Sequence, residues 1–166
     1  TAVATVAAIA LAGATPVFFE EDGYDGYVDT APEGEHHWPE AVMVTRRLEE
    51  VDHLVYMPRV GSHAVGDATL GLKLAVGFLR DDSRLALHTA GEDFHAMYAE
   101  INHVPEIASR LRLVLTFAEQ LMLHQGPDTG TVAEVDPRIV NGLFFFFGLG
   151  VEPGQHPAAH ATDGAG

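Results

Sequence analysis

The sequence predicts an all-α fold: a compact bundle of five or six helices with a long acidic loop near the N-terminus. Three observations predict it. Apolar residues recur at helical spacing, as in Val44, Leu48, Val51 and Val55 and again in Ile107, Leu111, Val114, Ala118, Leu121 and Met122. Prolines and glycines stand where such helices would start and stop, at Pro39, Pro58, Pro105 and Gly126-Pro127. A chain of 166 residues, 47% apolar and 20% charged, is long enough to bury one real core.

In chain order, residues 2–12 read as a small Ala-rich helix with Val3, Val6 and Ile9 on one side, a buried strand being the alternative. Residues 20–37 carry seven acids between Glu20 and Glu35 and are rich in Gly, Pro and Asp, which is loop chemistry. Part of this loop, EEDGYDGYVD, follows an EF-hand pattern through Glu21, Asp25, Gly26, Val28 and Asp29. Gly23 at the third position and Pro32 at the twelfth break that pattern, so a solvated acidic loop is expected. A helix over 39–57 follows, then ATLGLKLAVGFL (68–79), apolar nearly all round apart from Lys73 and therefore central and buried. Gly71 and Gly77 would let neighbouring backbones approach it closely. Asp82 or Ser83 caps a helix ending at Asn102 or His103, and Pro105 and Glu106 open another that runs to His124. After a loop at 125–136, DPRIVNGLFFFFGLG starts a last helix. Residues 1–152 thus form a single helical domain, and 153–166 a weakly ordered tail.

Charge bounds the function. With 24 acids against 9 Lys and Arg, the net charge of −15 repels phosphate backbones and anionic lipid, so neither nucleic acid nor a membrane surface is an expected partner. No cysteine is present, which excludes disulfides, zinc-thiolate sites and cysteine nucleophiles. The apolar stretch 1–14 is too short to span a bilayer and lacks a basic n-region. A cytoplasmic protein is expected, the alternative being an exported one in which 1–14 is the remnant of a signal segment. No GxSxG, P-loop or GxGxxG occurs, and Ser62 beside His63 lacks the geometry of a nucleophile and its base, so catalytic residues are unassigned.

The pattern richest in chemistry is HTAGEDFHAMYAEINH (88–103). At about 100° per residue His88, Glu92 and His95 share one helical stripe. His88 and Glu92 have the HxxxE spacing of hemerythrin-like metal sites, and Glu92 and His95 the ExxH spacing of ferritin-like di-iron sites; neither family's pattern is completed elsewhere. Glu50, His53 and His124 could complete a metal site from other helices. Leu87, Ala90, Phe94, Met97, Tyr98 and Ile101 lie on the opposite side of the wheel, so the stripe is expected to face solvent or a partner.

Phe144, Phe145, Phe146 and Phe147 place aromatic rings all around a helix, more than one core-facing stripe absorbs; an interface with a protein partner or a second copy is expected, the alternative being a helix buried on several sides. The functional expectation is a non-catalytic binding or assembly protein, with no cofactor. The alternative is a small non-haem metal-dependent enzyme of the bundle type, using iron, manganese or zinc at the His/Glu site.

Overall fold

The computed structural model describes residues 3–63, 67–69, 71–123 and 131–134. They form a mixed α/β structure, and the expected all-α bundle is corrected accordingly. The helices are α1 (Val3–Leu11), α2 (Asp81–His88), α3 (Phe94–Glu100) and α4 (Pro105–Ala108). An antiparallel pair joins β1 (Tyr27–Thr30) to β2 (Val42–Thr45), and a parallel pair joins β3 (Leu54–Tyr56) to β6 (Leu111–Val114). A four-stranded sheet has the order β5-β4-β7-β8, from β4 (Arg59–His63), β5 (Asp67–Thr69), β7 (Phe117–Leu123) and β8 (Thr131–Glu134). In it β4 runs parallel to β7, while β5 and β8 pair antiparallel on either side.

Each departure from the helical reading has a local cause. The spacing of Val44, Leu48, Val51 and Val55 is satisfied by β2, a 3-10 turn (Arg46–Glu50) and β3 in succession. Val44 and Leu48 are buried, but Val51 and Val55 are 40% and 45% exposed, so the four never share one face. Pro105 opens a helix as expected, yet that helix ends at Ala108 and the chain continues as β6 and β7. A short run such as LRLVL serves a strand inside a sheet as readily as a helix, and its pairing with Leu54–Tyr56 decides the matter. The stretch 68–79 is completed by a 3-10 helix (Gly71–Phe78) that buries Ala75 and Val76 but leaves Leu72 and Leu74 41% and 39% exposed; it is amphipathic, not buried all round. The acidic loop 20–37 contains β1 and two 3-10 turns, Phe19–Asp22 and Tyr24–Gly26. The expected helix over 2–12 is present as α1. The last expected helix, with the 153–166 tail, lies outside the described residues.

One core collects side chains from most of these elements, among them Trp38, Val42, Val44, Tyr56, Leu79, Leu87, Phe94, Ile101 and Ile107. Burying an aliphatic or aromatic side chain of this size contributes roughly 1.5–3 kcal/mol. Polar atoms inside it are paired. The Trp38 indole donates from Nε1 to the Met97 carbonyl at 2.9 Å. Tyr56 donates its hydroxyl to Asn102 Oδ1 at 3.3 Å, and Asn102 Nδ2 donates to the carbonyls of Leu72 (3.1 Å) and Ala99 (3.3 Å). The one amide of Asn102 thereby ties β3, the 3-10 helix Gly71–Phe78 and α3 together. A buried, satisfied network of this kind holds its members in one arrangement.

Candidate anion-binding cleft

The histidine stripe comes apart at Gly91. Its φ of +61°, a left-handed conformation that glycine adopts without penalty, separates α2 from the 3-10 turn Gly91–Asp93 and α3. His88, at the end of α2, donates from Nδ1 to the Arg84 carbonyl at 2.7 Å, and its ring centroid lies 6.0 Å from that of Phe94. His95 sits edge-on to Phe94 at 5.3 Å, and Glu92 is exposed in the turn. The wheel was right about the opposite face: Leu87, Phe94, Met97 and Ile101 are buried. Glu50 accepts from Arg47 at 3.0 Å and His53 is exposed before β3. Among the described residues no three His, Asp or Glu side chains are grouped to hold a metal ion. His124 and Phe144–Phe147 lie outside the described residues.

A different cluster stands out once the pairing of the basic residues is followed. The chain has 8 Arg and a single lysine. Arg47 grips Asp22 and Glu50, Arg46 faces Glu49, and Arg80 is bound to Asp82 with its guanidinium 4.8 Å from the centre of the Tyr24 ring. Arg110 and Arg112 donate to backbone carbonyls. Arg59, Lys73 and Arg84 instead line one cleft of about 380 Å³, together with Pro58, Leu74, Val76 and Gly77. No carboxylate is among the described lining residues.

Three elements converge to build it. Arg59 opens β4, directly after Pro58; Lys73 stands on the 3-10 helix that Asn102 anchors; Arg84 lies on α2. Arg84 is held from behind, with Nη2 donating to Asp81 at 3.0 Å and 3.5 Å from Glu20, while its buried Nε has no acceptor among the described residues. Arg59 and Lys73 make no ion pair among the described residues. Burial holds the half-buried Lys73 ammonium below the ordinary lysine value. His63 is close enough to feel the same cluster: its pKa is lowered by burial first, then by the charges of Lys73 and His88. Arg84 is already paired with Asp81 and Glu20, so Arg59 and Lys73 are the lining cations left without an ion pair among the described residues, and an anion in the cleft would complement them.

Two other clefts are less suited to this chemistry. The larger, about 490 Å³ beside Trp38, Glu40, Met43 and Ser83, contains Arg80 and Asp82, whose charges already satisfy each other. A second, about 250 Å³ between Phe19, Leu48, Leu54 and Phe78, is apolar apart from Thr45, Arg47 and Glu50 at its edge. Nearby, a separate polar contact pins the segment before β2 to α3: the His37 ring nitrogen lies 2.6 Å from Glu100 Oε1, and the His37 amide donates to Oε2 at 3.0 Å.

Sequence reasoning missed the basic cleft. The available signal was Lys73 itself, the sole lysine of an arginine-using chain, set in an otherwise apolar run. In the comparisons with known proteins, the family model described as a domain of unknown function (DUF362) matches residues 4–142. No curated protein and no solved structure matches the chain.

Proposed function

We propose that this chain, which belongs to the DUF362 family, is a binding domain whose cleft between β4, the 3-10 helix Gly71–Phe78 and α2 receives a small anionic molecule. The observation that carries this reading is the convergence of Arg59, Lys73 and Arg84 on one cleft with no carboxylate among its described lining residues, in a chain of net charge −15. Arginine presents a planar fork of donors that matches carboxylate and phosphate oxygens, and lysine adds a point charge. The volume of about 380 Å³ is in the range of small-molecule sites. A polyanion is disfavoured, because the surrounding acidic surface repels a long phosphate chain while a compact anion needs only the local field.

Calorimetric titration with inorganic phosphate and with a small dicarboxylate, at low ionic strength, tests the reading. Saturable one-to-one binding is expected, weakened at least tenfold by Arg59→Gln. Absence of binding, or equal binding by the variant, would contradict it.

Assembly with a protein partner or a second copy is a companion reading, supported by Val51, Val55 and Met57, which are 40%, 45% and 60% exposed in and beside β3. Sedimentation of the protein and of Val55→Ser tests it: the expected result is an assembly weakened by the substitution, and a monomer at high concentration would oppose it. The metal-dependent alternative is decided by elemental analysis of untagged protein, where iron, manganese and zinc all far below stoichiometric would end it.

A further inference from the structure

We propose that Lys73 is the reactive group of the basic cleft, and that it condenses with the carbonyl carbon of a small aldehyde or ketone bearing a carboxylate or phosphate, forming an imine. The proposal rests on the anion-binding reading above and adds a substrate class and a covalent step to it.

The geometry divides the cleft into two functions. Arg59 and Arg84 can hold an anionic group, since a guanidinium has five donors and no nucleophilic lone pair. Lys73, the single lysine of the chain, supplies the side-chain amine of the cleft, and no carboxylate is among the described lining residues. A lysine that is partly desolvated gives up its proton more readily and becomes a nucleophile. Burial moves the Lys73 pKa in that direction.

The side chain is also mounted on a fixed platform. Asn102 Nδ2 donates to the carbonyl of Leu72, the residue before Lys73, and Ala75 and Val76 on the same 3-10 helix are buried in the core. Such anchoring fixes the backbone from which the lysine side chain reaches into the cleft. Leu74 and Val76 add apolar surface to the cleft beside the amine.

The step balances without an external oxidant or reductant. The Nζ lone pair attacks the carbonyl carbon, giving a carbinolamine. The former carbonyl oxygen then leaves as water, carrying the two protons that the neutral amine nitrogen held, and a C=N bond remains between Nζ and the substrate carbon.

Because Lys73 is the only lysine in the chain, peptide mapping separates an adduct on it from one on the α-amino terminus. The protein is incubated with glyoxylate or pyridoxal phosphate and sodium cyanoborohydride, which reduces an imine to a stable secondary amine. Adducts are counted by intact mass and located by peptide mapping. One adduct on Lys73 is expected, formed at least tenfold faster than with a neutral aldehyde of similar size and slowed by inorganic phosphate. Arg59→Gln should slow labelling by the anionic reagents and leave the neutral aldehyde unaffected. Lys73→Arg keeps the charge and should bind phosphate while forming no adduct, with circular dichroism confirming that it folds. Phosphate binding without any adduct at Lys73 would overturn the reactive-lysine proposal and leave the anion site standing. Equal labelling by anionic and neutral aldehydes, with no protection by phosphate, would overturn both.

Discussion

Gly71 faces Val114 so closely that a Cβ on it would lie 2.6 Å from the valine Cγ1. The contact presses the start of the 3-10 helix that carries Lys73 against β6, where Val114 pairs with Tyr56. Val114 is buried and has little room to give. Gly71→Ala should therefore destabilise the fold by about 1–3 kcal/mol through overpacking, and shift the cleft's lysine away from Arg59. Thermal unfolding paired with phosphate titration checks both effects; a variant as stable as the parent, binding equally well, would show that the helix is not held by this contact.

Gly91 supplies the second prediction. Its φ of +61° turns the chain between α2 and α3, and nothing lies within 4 Å of where a Cβ would be. Gly91→Ala should cost roughly 1–2 kcal/mol from backbone strain alone. A melting temperature unchanged by the substitution would mean that α2 and α3 merge into the continuous helix that the sequence suggests.

The His37–Glu100 contact makes stability depend on pH. The hydrogen bond and charge of Glu100 raise the His37 pKa above its ordinary value of 6.5. For Glu100, burial pulls the pKa up, but the hydrogen bonds from the His37 ring and amide outweigh it, and the net shift is down from 4.5. The histidine's contribution is complete below 6.5 and is lost as pH rises through its raised value; the carboxylate's is complete above 4.5 and is lost as pH falls through its lowered value. Both operate together between these limits. The melting-temperature gap between the protein and Glu100→Gln should be widest near the middle of that window and narrow as pH rises through the raised His37 value. A gap independent of pH would show that the ring is neutral throughout.

How much of this was legible in the sequence depends on the range of the interactions. The buried pair Phe94 and Met97 could be read directly, because it repeats within α3 and a local period reports it. The parallel pairing of Leu54–Tyr56 with Leu111–Val114 could not, because parallel strands are joined by long connections and leave no local signature. The same limit hid the cleft: Arg59, Lys73 and Arg84 come from a strand, a 3-10 helix and an α-helix, and only the tertiary fold makes them neighbours. His88, Glu92 and His95 misled for the converse reason. They satisfy a local spacing rule, but a single left-handed glycine removes the continuous helix that the rule assumes.

The most direct test of the anion site compares the stabilisation by inorganic phosphate in the parent protein, in Arg59→Gln and in Arg46→Gln. Both variants lose one positive charge, but Arg59 lines the cleft whereas Arg46 faces Glu49 at 3.5 Å on the surface. Bound at a hundredfold excess over Kd, phosphate should stabilise the parent by about 2.7 kcal/mol, a rise in melting temperature of roughly 5–10 °C. The account predicts that Arg46→Gln keeps this rise and Arg59→Gln loses most of it. Equal rises in all three proteins would mean that phosphate acts through ionic strength or surface charge, and the cleft would not be its binding site.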